Sequence, residues 1–431
     1  MDWRQKYNHK MKSPEDAVKI IKSGDRVLIG HAVGEPSIVV EAMVKRAPEL
    51  RNVEIFHMVA MGKGEYCKPE MAESFHYNGI FTGPMTRDAC NDGRGDYIPL
   101  FMHELPRLLS TRHKVNVALI QVSPPDEDGN CSYGVSCDYT ETPARTDDAY
   151  IIAQVNKNYP YVYGTTINLD RIDCIVEADM KVIELKSPPI GATEEKIGRH
   201  IADLINDGDC LQLGIGGIPD AVIRFIGDKK DLGMHTEMLS DGVVDLFEKG
   251  VINNTKKTLH PNKFVTNFIM GTRRLYDFVD HNRDVLLFPC DYTNDPYVIA
   301  QNDNMVAINT GIQIDLFGQL NSNTIGPNIY SGVGGQVDFV RGASRAKNGR
   351  AIIALPSTAK GGTISKIVAR LDPGASVTTS RYDIRIVVTE FGVADLWGRN
   401  LRQRARALID IAHPDFREQL ERQAWENGNL R

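Results

Sequence analysis

The chain has 431 residues, 42% of them hydrophobic and 25% charged. This ordinary globular composition excludes collagen-like, coiled-coil and disordered chains and leaves length for two or three domains. Fifty Lys and Arg against 56 Asp and Glu give a formal charge of −6, without the basic excess of nucleic-acid binders. No stretch reaches the roughly 20 apolar residues of a membrane helix, and the polar start Met1-Asp2-Trp3-Arg4-Gln5-Lys6 lacks a signal-peptide core. The seven cysteines form no CxxC pair, which argues against a disulfide framework or a structural zinc. A cytoplasmic protein that contacts neither nucleic acid nor membrane is expected.

In chain order, the first expected unit is Ile20-Ile21-Lys22-Ser23-Gly24-Asp25-Arg26-Val27-Leu28-Ile29-Gly30: a helix end, a Gly-Asp turn, a short apolar strand and a glycine. It is echoed by Leu204-Ile205-Asn206-Asp207-Gly208-Asp209-Cys210-Leu211-Gln212-Leu213-Gly214. Both copies run on through a turn with a proline, Pro36 or Pro219, that suits the first turn of a helix. Further strands are expected at Val53–Val59, Val117–Val122, Asp173–Glu177, Val285–Phe288, Met305–Asn309, Ala351–Leu355 and Ile384–Thr389. A helix is expected at Leu401–Ile411. A second echo pairs Asp126-Glu127-Asp128-Gly129, after Val117–Val122, with Asp315-Leu316-Phe317-Gly318, after Met305–Asn309. Two echoes in the same order imply two related α/β domains with mainly parallel sheets. The domains are placed at 1–188 and 189–431, with the break at Ser187-Pro188-Pro189.

Three segments are candidates for chemistry. Leu213-Gly214-Ile215-Gly216-Gly217-Ile218-Pro219-Asp220 lies between a strand and a helix, where glycines admit a ligand to backbone N–H groups. Pro219 spoils a dinucleotide fingerprint, and a tight structural turn is the competing reading. Ser331-Gly332-Val333-Gly334-Gly335-Gln336-Val337-Asp338-Phe339 reads as a loop offering N–H groups to a ligand or oxyanion, or else as a bulge or hairpin turn. In Met234-His235-Thr236-Glu237-Met238, Glu237 is a carboxylate among uncharged neighbours. It belongs either in solvent on an edge strand or in a cleft as a functional group. His235 is expected to be structural. HExxH, GxSxG and paired histidines at i, i+4 are all missing, so neither a metalloenzyme nor a serine hydrolase is expected.

Taken together, Leu211–Asp220, His235-Thr236-Glu237-Met238 with Ser240-Asp241-Gly242, Ser331–Phe339, Gln121–Asp126 and Thr389–Ala394 resemble the acetyl-CoA hydrolase/transferase family of coenzyme A transferases. The 4-hydroxybutyrate branch is especially similar. The resemblance runs from Asp2-Trp3 to His413–Arg417. It implies two tandem NagB/RpiA/CoA-transferase-like α/β domains, the second carrying Glu237 as nucleophile. It further implies CoA transfer between a short-chain acyl-CoA, 4-hydroxybutyryl-CoA first, and acetate or a similar acid, through a glutamyl-CoA thioester. By the same resemblance Gly214, Ile215, Gly216, Gly217 and Ile218 bind CoA, the backbone near Ile312 and at Gly335 adds contacts, and Gly334 and Gly335 offer oxyanion donors. Lys360 meets a phosphate or carbonyl of CoA, or else solvent. Coenzyme A is then a substrate, no tightly bound cofactor or metal is needed, and a homodimer is expected. Glu390 and His413 are read as supporting residues. Trp397 departs from the family pattern at the surface. His31–Glu35 and His57–Lys63 are expected to shape acyl preference.

Five other readings compete with this one. A butyryl-CoA:acetate transferase and an acyl-CoA hydrolase would both use the same glutamate. A nucleotide-binding oxidoreductase or a sugar-phosphate isomerase would use the glycine loop; Pro219 at the third glycine position and the lack of a clear acidic ribose partner about 20 residues on count against the oxidoreductase. A CoA-sensing binding protein would not need Glu237.

Overall fold

Seven strands form one all-parallel sheet from the first part of the chain: β1 Arg26–Ile29, β2 Val53–Phe56, β3 Phe75–Gly79, β4 Gly95–Tyr97, β5 Val117–Val122, β6 Tyr150–Asn156 and β7 Cys174–Ala178. Their spatial order is β7-β6-β5-β1-β2-β3-β4. Every residue of β5 is buried, because a parallel strand is covered on both faces; this is why it reads as an unbroken apolar run. The computed structural model describes residues 3–146, 148–428 and 430. Asp2, where the family resemblance starts, lies outside them.

A second sheet takes β8 Cys210–Gln212, β9 Gly233–Met234, β10 Met305–Thr310, β11 Arg350–Ala354, β12 Ile386–Thr389 and β13 Gly392–Asp395 in the order β9-β8-β10-β11-β12-β13. Only β12–β13 is antiparallel. The orders β7-β6-β5-β1-β2 and β12-β11-β10-β8-β9 are the same, so the sequence echo is an echo of topology.

The echo extends to atoms. Asp25 Oδ2 accepts from Lys22 N at 2.7 Å, and Asp209 Oδ2 accepts from Asn206 N at 2.7 Å. In the later pair, Asp126 Oδ1 accepts from the N–H groups of Asp128 (3.0 Å) and Asn130 (2.8 Å). Asp315 Oδ1 accepts from those of Phe317 (3.0 Å) and Gln319 (2.9 Å). Gly129 and Gly318 close these turns at φ +83 and +82, a left-handed conformation that favours glycine.

The chain groups into two compact units, Met1–Leu185 with Val265–Thr293, and Lys186–Phe264 with Asn294–Arg431. Compared with a single cut at 188/189, one excursion is added: the segment from Val265 to Thr293 belongs with the first unit. There Ile269 N–H donates to Val135 O at 2.8 Å, and Cys137 N–H donates to Asn267 O at 3.0 Å. The expected strand at Val285–Phe288 forms as Val285–Leu287 and pairs with Tyr163–Gly164, outside the seven-stranded sheet. Each unit has its own apolar core, around Val27, Ile55, Leu119 and Ile152 in the first and Ala307, Phe339, Ile353 and Leu408 in the second.

The second unit also carries helices. They include α1 Gly217–Phe225, α2 Gln336–Arg345, α3 Leu401–Asp410 and α4 Pro414–Glu426. Pro219 falls in the first turn of α1 as expected. Asn400 caps α3, accepting from Gln403 N–H while the Gln403 side chain accepts from Asn400 N–H. No helix among the described residues is long and apolar enough to cross a membrane.

Candidate active site

Parallel strands deliver their following loops to one edge of a sheet, and ligands of such folds gather there. In the second unit that edge receives Gly214 to Gly216 after β8, Glu237 after β9, Ile312 after β10, Lys360 after β11 and Glu390 after β12. Helix α2 packs on β10 and β11 and leads into β11, so its N-terminus, with Gly334 and Gly335, comes to the same edge.

Glu237 sits at the bend between β9 and the short strand Met238–Leu239, so it is not within a strand as the sequence suggested. It is half-buried. Asn294 Nδ2–H donates to its Oε2 at 2.5 Å. Gly335 packs so closely that a Cβ there would collide with Glu237 Oε2 and Asn294 Nδ2 and come within 3.0 Å of the Glu237 carboxylate carbon. Glu237 is thus a carboxylate held in place by a buried amide and a glycine, and the exposed edge-strand reading does not apply. Gly335 is the N-cap of α2, an end whose unpaired N–H groups favour anions. The Ser331–Gln336 segment is therefore a loop into a helix; the bulge and hairpin readings fall away. Gly334 takes φ +53 within it.

Two short-range features seat Asn294. Asp295 caps the turn of helix Pro296–Ile299, accepting from Tyr297 N–H at 2.7 Å. That turn packs on α2, where Gly342 leaves room for Ile299. Sequence reasoning missed Asn294. Its only local signal, Asn-Asp-Pro, reads as an ordinary helix start.

The remaining expected residues separate into groups. Gly214 and Gly216 face open space where a Cβ would stand, and Ile215 is 47% exposed. Gly216 has φ +109 and caps α1. Gly217 lies against Glu194, and Ile218 is buried in α1. The N–H of Ile312 donates to Asn321 O at 2.9 Å, so its backbone donor is engaged within the protein. Lys360 is exposed, at φ +48, on the turn of the hairpin Thr358–Ala359/Ile364–Ser365. It does not join the Glu237–Asn294–Gly335 contact.

Glu390 supports the neighbouring loop by accepting from Ser357 N–H (2.9 Å) and Oγ–H (2.6 Å). His413 caps α4, and its Nδ1 accepts from Asp415 N–H at 3.3 Å. His235 is fully buried, with its ring beside Phe339. Trp397 is 69% exposed under the Arg385 guanidinium. Among the described residues, no three His, Cys, Asp or Glu side chains are grouped as a metal ion would require.

The first unit holds its own buried polar cluster. His31 Nδ1 lies 2.9 Å from Asp138 Oδ2, and Ser136 Oγ–H donates to the same oxygen at 2.7 Å. Burial raises the Asp138 carboxyl, but His31 and these hydrogen bonds outweigh it and leave the group below its ordinary range. Glu35 accepts from Met61 N–H (3.0 Å) and Gly62 N–H (2.8 Å), yet burial pushes its carboxyl up. His57, bonded to Tyr66 OH at 2.7 Å, is pushed down to about 3 by burial and stays neutral.

Comparison with known proteins gives these features a context. Residues 1–185 match the acetyl-CoA hydrolase/transferase N-terminal domain, and residues 271–424 match the C-terminal domain of the same name. The chain is 54% identical over 422 residues to 4-hydroxybutyrate coenzyme A transferase of Clostridium kluyveri, covering 97% of this chain and 98% of that one. Its structure superposes on that of RipA from Yersinia pestis with a TM-score of 0.94 at 38% identity, covering all of both chains. It superposes on 4-hydroxybutyrate CoA-transferase of Porphyromonas gingivalis with a TM-score of 0.85 at 42% identity, covering 99% of this chain and 100% of that one. Fold and matches define an enzyme of the CoA-transferase class. The chain belongs to the acetyl-CoA hydrolase/transferase family.

Proposed function

We propose that the chain moves coenzyme A between a short-chain acyl-CoA, 4-hydroxybutyryl-CoA in the first place, and acetate or a similar carboxylate, with Glu237 as the covalent nucleophile. The observation that carries this reading is the half-buried Glu237 carboxylate, held at 2.5 Å by Asn294 against the cap of α2. An ionised carboxylate attacks without a general base. The similarity to an enzyme named for 4-hydroxybutyrate supports the choice of acyl group.

The reaction balances in two exchanges. A Glu237 oxygen adds to the thioester carbonyl, the C–S bond breaks, and CoA thiolate leaves an acyl-glutamyl anhydride. The thiolate then adds to Cδ of Glu237, the anhydride C–O bond breaks, and the carboxylic acid departs as its anion, leaving glutamyl-CoA. An incoming carboxylate runs both exchanges backwards. When thiolate or carboxylate adds to Cδ, negative charge develops on a Glu237 oxygen, within reach of Asn294 Nδ2–H and the N-terminus of α2. Donors fixed before charge develops lower such barriers most.

The exposed loop Gly214–Gly216 is the proposed CoA seat, with backbone donors ahead of α1. Coenzyme A is a substrate in this reading, with no metal and no resident cofactor. The enzyme works in the cytoplasm as a homodimer, and His31–Glu35 with His57–Lys63 tune acyl preference.

Activity of Glu237→Gln and Glu237→Asp tests the assignment. Gln replaces an anionic nucleophile by a neutral one, and Asp withdraws it by one methylene, so both should lose transfer by orders of magnitude while still binding CoA. Full activity in Glu237→Gln contradicts the reading. Acyl release measured with and without acetate separates transfer from hydrolysis; release independent of acetate favours a hydrolase.

A further inference from the structure

Lys257 is 5% exposed, although lysine is almost never buried without a partner. Its Nζ donates to two backbone carbonyls, Met234 O at 2.8 Å and Lys263 O at 2.6 Å. Its stem lies over Gly233, where an added Cβ would collide with Lys257 Cγ and come within 2.9 Å of Cδ. Burial pushes the ammonium down to about 8. A charge kept inside at that cost, on a loop of otherwise polar residues, calls for a reason.

The reason lies in what Met234 does. Strand β9 is the edge of its sheet, paired on one side with β8. On its other side the backbone of Met234 meets side chains where a further strand would stand. Asn254 Oδ1 accepts from Met234 N–H at 2.8 Å, and Lys257 binds the Met234 carbonyl. Downstream, His235 N–H donates to Leu211 O at 3.1 Å, and Thr236 Oγ1–H is 3.0 Å from Leu213 O and 2.9 Å from Met238 O. The next residue is Glu237. The segment bearing the carboxylate is thus pinned by β8 on one side and by Asn254 and Lys257 on the other.

We propose that Lys257 is a positioning residue for the nucleophile: its buried ammonium, seated over Gly233 and bonded to Met234 and Lys263, holds β9 where it presents Glu237 to Asn294 and Gly335. This rests on the reading of Glu237 as nucleophile. It differs from a general stabilising role in its consequence, because a small shift of an attacking oxygen lowers kcat without weakening binding of CoA by a separate loop.

The test uses the full chain as Lys257→Met, Lys257→Arg and Gly233→Ala, with steady-state kinetics, CoA titration by calorimetry and the rate of CoA loading on Glu237 by peptide mass spectrometry. Met keeps the stem and removes the charge, and Gly233→Ala keeps the charge and displaces the stem. Both should lower kcat and the loading rate by about 100-fold, the order expected for a displacement near 1 Å, with CoA affinity within about threefold. Arg keeps cation and donors and should recover much of the loss. Gly233→Ala decides the matter should Lys257→Met fail to fold. Wild-type loading rates in folded Met or Ala variants overturn the proposal and leave Glu237 in place. So does a kcat loss matched by an equal loss of CoA affinity, or an Arg variant no faster than Met. If the wild-type enzyme carries no CoA on Glu237, the nucleophile reading falls and this proposal falls with it.

Discussion

Asn294 donates to the Glu237 carboxylate at 2.5 Å although 57 residues separate the two in sequence. Its side chain has no exposure to solvent, so the donor is fixed before any substrate arrives. Asn294→Ala should lower kcat by about 10²- to 10³-fold, the usual result of losing one oxyanion donor, with little change in CoA affinity. Stopped-flow release of CoA measures the step concerned. An unaltered kcat would mean that the amide only buttresses the carboxylate.

Gly335 offers a sharper steric probe. A methyl group there meets Glu237 Oε2 and Asn294 Nδ2 at once, so Gly335→Ala must move the carboxylate or the amide. Its φ of −87 is open to alanine, and backbone strain does not confuse the result. Transfer should fall at least about 100-fold with Tm nearly unchanged.

The CoA seat is best tested at Gly214. A side chain there enters open space, whereas Gly216 at φ +109 would be strained by any substitution. Gly214→Val should therefore raise the Kd for CoA tenfold or more, about 1.4 kcal/mol, without loss of folding. Unchanged affinity by calorimetry would return the loop to a structural turn.

Lys257 also gives a pH signature. Its folded pKa of about 8 lies below the ordinary 10.5. Between these values the unfolded chain keeps a proton that the folded chain has released, so this residue's contribution to stability rises with pH. Below pH 8 the cost of burying its charge is fully present. The Cys210 thiol and His260 are the titratable groups whose charges act on or respond to it. The Tm of wild-type protein relative to Lys257→Met should climb from pH 8 towards 10, reflecting a linkage on the order of 3 kcal/mol at completion. A constant difference across that window would contradict the buried-ammonium assignment.

What was legible in the sequence was mostly local. The turns at Asp25, Asp209, Asp126 and Asp315 are written within four or five residues, and their hydrogen bonds match pairwise. The central strands announced themselves because burial on both faces demands continuous apolar runs. Glu237 stood out as a charge among uncharged neighbours. Asn294 did not, because its role comes from packing of the Pro296–Ile299 turn on α2, and the local Asn-Asp-Pro pattern is fully accounted for by a helix start. Lys257 was hidden for a similar reason: Asn253-Asn254-Thr255-Lys256-Lys257 reads as a solvated loop, and only the edge of β9 draws one of its lysines inside. Ile312, singled out by resemblance, has its N–H engaged by Asn321, which a sequence pattern cannot reveal.

The most direct test of the central claim is to trap the intermediate. Wild-type enzyme is incubated with 4-hydroxybutyryl-CoA and no acceptor acid, treated with borohydride to reduce any glutamyl thioester to the alcohol, digested and analysed by peptide mass spectrometry. The account predicts reduction at Glu237 that depends on acyl-CoA and disappears in Glu237→Gln. Reduction at a different carboxylate, or a catalytically competent enzyme that shows none, would contradict it.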